Sequence, residues 1–156
     1  MTSLGNDGLS IDEQREELSA ALLADDVVDA LWRLVDTGLA DEIVPELPAL
    51  RLEQDPIHKH KDVLAHTIAV TAKTRNDLTL RLAALFHDIG KPKTRRFDEN
   101  GVTFRHHEAV GAKIARRRLR ALEYPEMTVD DVTELVRMSG RFKGCLLYTS
   151  DAADDY

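Results

Sequence analysis

Three ionisable residues stand apart by their setting: His66, His87 and Asp88. His87 and Asp88 close an apolar run, LAALFHDIG. An ionised carboxylate in such surroundings is costly unless it is paired or bound to a cation. About twenty residues earlier, His66 shares a helical face with Val63, Thr67 and Val70, so its imidazole is expected to point inward. Two imidazoles and one carboxylate suit a first-row divalent metal, with coordination positions left open for water or substrate. A metal so held lowers the pKa of bound water and yields a nucleophile near neutral pH. Each residue alone has a plainer reading. A single inward histidine is more often a hydrogen-bonded core residue, and a His-Asp pair by itself says almost nothing. The combination of an inward histidine, a spacer and ALFHDIGK is the specific feature. Arg and Lys beside such a site would hold a phosphate ester, and Lys91, next to the doublet, is the best placed.

The elements that must position these residues are helical. Ser10 with Glu13 reads as a capping box opening a helix to about Leu23. Val28, Leu31, Trp32 and Val35 form one apolar stripe, which predicts a second helix over about 26–37, ended by Gly38. Pro45 and Pro48 then break regular structure. A helix from about Lys61 to Lys73 carries His66, and one from about Leu78 to Ile89 carries the doublet. The latter is apolar all round, as a helix buried within a bundle should be. Gly90, Lys91 and Pro92 read as its stop. Asn100-Gly101 between short β-prone pieces predicts a small hairpin. A long helix is expected from about His107 to Leu122, and Thr128 with Asp131 reads as the cap of a last one. The expected architecture is all-α: a helical bundle with one β-hairpin, preceded by a helical neck. The divisions are 1–9, a disordered start; 10–55, the neck; 56–144, the main domain; and 145–156, a tail.

Composition bounds the function. With 43% hydrophobic and 31% charged residues in 156, the chain reads as one soluble globular domain. No stretch of eighteen apolar residues is present, so no membrane is expected as a partner. The start, MTSLGNDGLS, lacks the features of a signal peptide, and a single cysteine agrees with a reducing, cytoplasmic setting. The net charge of −7 argues against binding nucleic acid through overall charge alone. From Cys145 the sequence reads CLLYTSDAADDY, which resembles a translated sequencing-library adapter and is expected to be non-native. Without its three aspartates the net charge is −4, and the chain's own sequence would break off near Gly144.

LAALFHDIGKP, with LAHT before it and FRHHEAVGA after it, resembles the HD superfamily of metal-dependent phosphohydrolases. The resemblance implies an all-α fold in which His66, His87 and Asp88 hold a divalent ion such as Mg, Mn, Ni or Co. It implies a further aspartate ligand beyond the end of this chain. His107 matches a histidine that lines the catalytic pocket or binds a second metal. A longer match is more specific. LRLEQDPIHKHKDVLAHT and LAALFHDIGKPKTRRFDENGVTFRHHEAVGA, preceded by LVDTGLADEIVPELPALRL, resemble the C-terminal half of bacterial CCA-adding tRNA nucleotidyltransferases, the actinobacterial kind in particular. This implies hydrolysis of a phosphomonoester or 2′,3′-cyclic phosphodiester, with the tRNA 3′ end or a nucleotide phosphate ester as partner. Lys91 and His107 would position the phosphate. Met138-Ser139-Gly140 departs from the Leu-His-Leu-like stretch usual there. The family's nucleotidyltransferase head needs a glycine-serine loop and paired aspartates on a sheet. Neither is here, since Asp25-Asp26 and Asp130-Asp131 read as helix-start carboxylates.

Basic residues cluster after the doublet. Arg95 and Arg96 with Lys91, and Lys113, Arg116 and Arg117 on the long helix, are candidate phosphate or RNA contacts, against the plainer reading of a solvated helix face. Only Trp32, four Phe and Tyr124 precede the tail, so sequence-specific reading by base stacking is not expected. Two rival functions stay open: a stand-alone HD nucleotide phosphohydrolase, and a non-catalytic RNA-binding scaffold whose tRNA affinity would ignore chelators. The oligomeric state is not legible.

Overall fold

The computed structural model describes residues 8–52, 62–99 and 101–142, with side chains to residue 140. The expected disordered start falls mostly, and the tail wholly, outside the described residues. Asn100 and the HKHK segment at 58–61 also lie outside them.

The chain opens with α1 (Ile11–Leu22), and the Ser10–Glu13 capping box forms in both directions. Ser10 Oγ accepts from Glu13 N at 3.1 Å and Glu13 Oε1 accepts from Ser10 N at 2.9 Å. Helix α2 (Val27–Asp36) is capped by the Asp26 carboxylate and followed by Gly38 in the left-handed region at φ 86°. Two short elements then fill the Pro-punctuated stretch: α3 (Leu39–Ile43) and a 3-10 turn at Pro48–Leu50.

The main helices follow. Asp62 caps α4 (Val63–Lys73) and Asp77 caps α5 (Leu78–Phe86), each carboxylate accepting a backbone N–H three residues on. Helix α5 ends three residues earlier than the sequence suggests. Gly90-Lys91-Pro92 is no stop: Lys91–Thr94 forms a further helical turn, α6, with Pro92 in its first turn, where a missing N–H costs nothing. Strands β1 (Arg95–Asp98) and β2 (Gly101–Phe104) pair antiparallel, Arg95 opposite Phe104 and Phe97 opposite Val102. Asp98 pairs with Gly101, so the two-residue loop is 99–100 rather than Asn100-Gly101, and Gly101 takes φ +116° at its exit.

Helix α7 (His107–Ala121) leads to α8 (Glu126–Arg137) and the short α9 (Ser139–Phe142). Thr128 and Asp131 are not a cap. Helix α8 begins at Glu126, three residues earlier than that cap implies, with Pro125 at φ −55° and ψ 145° setting the helix entry. Accordingly Asp130 is no helix-start group, and it pairs with Arg116 at 3.3 Å.

Helix α5 lies at the centre, packed between α4 and α8, and α7 packs along α8. Leu82, Ala83, Ala84, Leu85 and Phe86 are all fully buried, as the all-round apolar sequence requires. The same apolar core runs without a break from Leu18, Leu22 and Leu31 in the neck to Leu119 and Val132 in the last long helices. No helix of the described residues is long and apolar enough to cross a membrane.

Candidate metal centre

Helix α4 presents His66 inward beside Val63, Thr67 and Val70, all buried. Helix α5 ends at His87, and the turn after it holds Asp88, 1% exposed. Among the described residues these three form a group whose ligating atoms lie within 4.8 Å of one another. Asp88 Oδ2 is 3.0 Å from His87 Nε2 and 3.6 Å from His66 Nε2. Lys91 Nζ reaches the same oxygen at 3.4 Å, while His107 Nε2 lies 3.2 Å from Oδ1. The carboxylate is therefore ringed by three imidazoles and an ammonium group. Burial opposes its ionisation, but the charge of His87, close contacts from His107 and His87, and the Lys91 cation hold it well below the usual carboxylate range.

The local geometry fits a cation. His87 Nδ1 lies 2.6 Å from Ala84 O. A carbonyl can only accept, so Nδ1 carries a proton and Nε2 is the nitrogen turned toward the cluster. That nitrogen faces Asp88 Oδ2 at 3.0 Å, yet neither atom has an aligned hydrogen-bond partner. Two buried polar atoms this close need a proton or a metal ion between them. Metal ligands at about 2.0–2.2 Å from one ion stand roughly 3–3.5 Å from each other, close to the 3.0 and 3.6 Å between Asp88 Oδ2 and the two imidazoles. The carbonyl contact on Nδ1 is also the usual outer support that fixes the tautomer of a ligating histidine.

Lys91 and His107 come to the cluster as the sequence reading expects. Lys91 is buried, with Nζ 5.1 Å from the centre of the Phe104 ring. His107 Nδ1 donates to Phe104 O at 3.2 Å and sits 3.7 Å from Glu108 Oε1. The other basic candidates divide. Arg95 and Arg96 stand on β1, where Arg95 packs its guanidinium 4.9 Å from the Phe97 ring centre. Lys113 and Arg116 instead line an open groove of about 250 Å³ with Ala109, Ala112, Thr133 and Arg137, away from the cluster. Arg117 is exposed on α7, Arg118 is engaged by Glu46, and Arg120 by Glu126 at 2.6 Å.

Two residues at the site escaped the sequence reading. Glu108 flanks His107 and lies against Gly140, where a Cβ would meet its Oε2 at 2.5 Å. The signal for it was the HHEA run itself. Gly90 is the second. A Cβ there would lie 2.3 Å from His107 O and 2.7 Å from Gly111 N, so glycine lets the doublet's loop rest directly on α7.

Comparison with known proteins agrees with this geometry. The HD domain family model matches residues 62–144, a segment that starts at the α4 cap and contains all five residues of the cluster. The chain is 40% identical over 131 residues to a CC-adding tRNA nucleotidyltransferase of Thermus thermophilus, covering 79% of this chain and 30% of that protein. It is 35% identical to an A-adding tRNA nucleotidyltransferase of Deinococcus radiodurans, with the same shares covered. A multifunctional CCA protein of Pseudomonas paraeruginosa is 31% identical, over 81% of this chain and 31% of that protein. The chain thus spans about 30% of the length of these curated relatives. The family model embraces more than half the chain and the fold is the expected helical bundle with one hairpin: this protein belongs to the HD-domain family.

Proposed function

We propose that this chain is the HD-domain region of a tRNA nucleotidyltransferase, acting in the cytoplasm on tRNA 3′ ends, and that the domain is a metal-dependent phosphohydrolase for phosphomonoesters or 2′,3′-cyclic phosphodiesters. The observation that carries the chemistry is the buried meeting of His87 Nε2 and Asp88 Oδ2, 3.0 Å apart without an aligned hydrogen bond, with His66 beside them. The likeness to tRNA nucleotidyltransferases supports the tRNA assignment over a stand-alone nucleotide hydrolase. It covers 79% of the chain, more than residues 62–144 can supply, and so reaches into the neck.

His66, His87 and Asp88 would hold the ion, whether Mg, Mn, Ni or Co. When bound, a divalent ion supplies Lewis acidity, polarising a phosphoryl oxygen and easing deprotonation of water. The chain's own residues do the rest. Lys91, held in place over Phe104, places an ammonium beside the cluster to neutralise a phosphate oxygen. His107, oriented by Phe104 O, offers Nε2 at the same rim to position the ester. The surrounding apolar core keeps bulk water from the buried face of Asp88.

Elemental analysis of the purified chain beside His87→Ala and Asp88→Ala tests this. We expect close to one divalent ion per chain, lost in both variants, and metal-dependent release of phosphate or opening of a cyclic phosphodiester. A folded wild-type chain that takes up no divalent ion after reconstitution would overturn the proposal.

A further inference from the structure

We propose that one face of the β1–β2 hairpin is a stacking platform for the nucleobase of a phosphate ester held at the His66, His87 and Asp88 cluster, and that Phe97 selects a nucleotide over a bare sugar phosphate. The proposal deepens the reading of that cluster as a phosphate-ester site and rests on it.

Alternation along a strand puts Arg95 and Phe97 on one face, and their cross-strand partners Phe104 and Val102 share it. At its inner end Phe104 carries the Lys91 ammonium 5.1 Å from its ring centre, and that ammonium is 3.4 Å from Asp88 Oδ2. At its outer end Phe97 is 64% exposed, in a sheet of two strands. One exposed aromatic is unremarkable in itself. Its place is not, because the face leads outward from the cluster. Phe97 is a diagonal neighbour of Phe104 across the ladder, about 7–8 Å away. That is the reach of a nucleotide from its phosphate to its base.

The chemistry of the face suits an anionic ligand with an aromatic end. Arg95 packs against the Phe97 ring at 4.9 Å, which orients the ring and brings a cation beside it. Lys93 and Arg96 are exposed nearby in the chain. A phenyl ring stacks on any base, so the platform would add affinity with little sequence preference, consistent with so few aromatics in the chain.

The test is calorimetric titration of the Mn²⁺-loaded chain with AMP, ribose 5-phosphate and inorganic phosphate, for wild type, Phe97→Ala and Phe97→Trp. We expect AMP to bind about tenfold more tightly than ribose 5-phosphate. Phe97→Ala should abolish that advantage while leaving ribose 5-phosphate and inorganic phosphate binding unchanged, and Phe97→Trp should retain it. Equal affinity of wild type for AMP and ribose 5-phosphate, or an advantage that survives in Phe97→Ala, would overturn the platform and leave the metal site standing. Failure of all three ligands to bind, inorganic phosphate included, would overturn the phosphate-ester site and this proposal together.

Discussion

A carboxyl group as deeply buried as Asp88 would ordinarily rise in pKa and take up a proton. Here the charge of His87, the contacts from His107 and His87, and the Lys91 cation outweigh burial and hold it ionised. The consequence for stability has a definite sign. A carboxyl whose folded pKa lies below its unfolded value of about 3.9 contributes stability that is complete above that value. The contribution is lost as the pH falls through the folded pKa. In the presence of a chelator, Asp88→Asn should therefore melt below wild type at neutral pH, and the gap should narrow below about pH 4. Melting curves of both proteins across that range check it. A gap independent of pH would mean that the carboxylate gains nothing from the groups around it.

The backbone approach at Gly90 couples two elements that the sequence presents as separate. Its missing Cβ lets the loop after α5 lie on α7, and this contact brings Asp88 to His107. In Gly90→Ala the new carbon would meet backbone atoms, which cannot swing aside as a side-chain tip can. Overpacking of this kind costs about 1–3 kcal/mol. We expect that loss in denaturant unfolding together with weaker metal binding, whereas Gly38→Ala, with nothing within 4 Å, should leave metal binding alone. This coupling also marks how far the sequence could be read. The helices carrying His66 and the doublet were legible because caps and apolar periodicity are local, and Ser10–Glu13 formed as its spacing dictates. The meeting of His66 with the doublet was legible because a buried His-Asp doublet demands a partner. The start of α8 was misread because Thr128 and Asp131 match a cap motif, while Pro125 sets the helix entry. Gly90 was misread as a helix stop because a glycine's tertiary neighbours leave no trace in its immediate sequence. The same holds for the basic stripe of α7. Spacing placed its charges on one helix but could not foresee that Glu46, Glu126 and Asp130 engage three of them.

At the scale of the molecule, the neck and the helices that bring His66, His87 and Asp88 together share one core, and polar contacts tie them further. Arg15 donates to the carbonyls of Leu122 and Glu123 at the end of α7, and the buried Arg81 of α5 donates to Leu22 O at 2.8 Å. Tyr124 sits at this junction, buried against α1, with its hydroxyl 2.8 Å from Ser19 Oγ. Burial pushes its phenol above the ordinary tyrosine range, against the opposing effects of Ser19 and Arg15. The phenol thus reports whether the neck stays docked. Tyr148 and Tyr156 lie in the tail, so a Tyr148→Phe, Tyr156→Phe chain leaves Tyr124 as the one absorbing phenol. Its phenolate absorbance should rise at a pH above the ordinary midpoint of about 10. Because the folded pKa is the higher one, the stability gained from the neutral phenol is fully present below about pH 10 and is lost as the pH climbs through the folded value. Ser19→Trp, which would wedge α1 away from Tyr124, should bring the midpoint back toward the ordinary value. It should also lower the melting temperature of the whole chain in a single transition, since one continuous core leaves helices α4 and α5 nothing separate to fall back on. A Tyr124 that titrates normally in the otherwise native chain, or a second transition that keeps helices α4 and α5 folded after the neck has come away, would show that the two parts hold together only loosely.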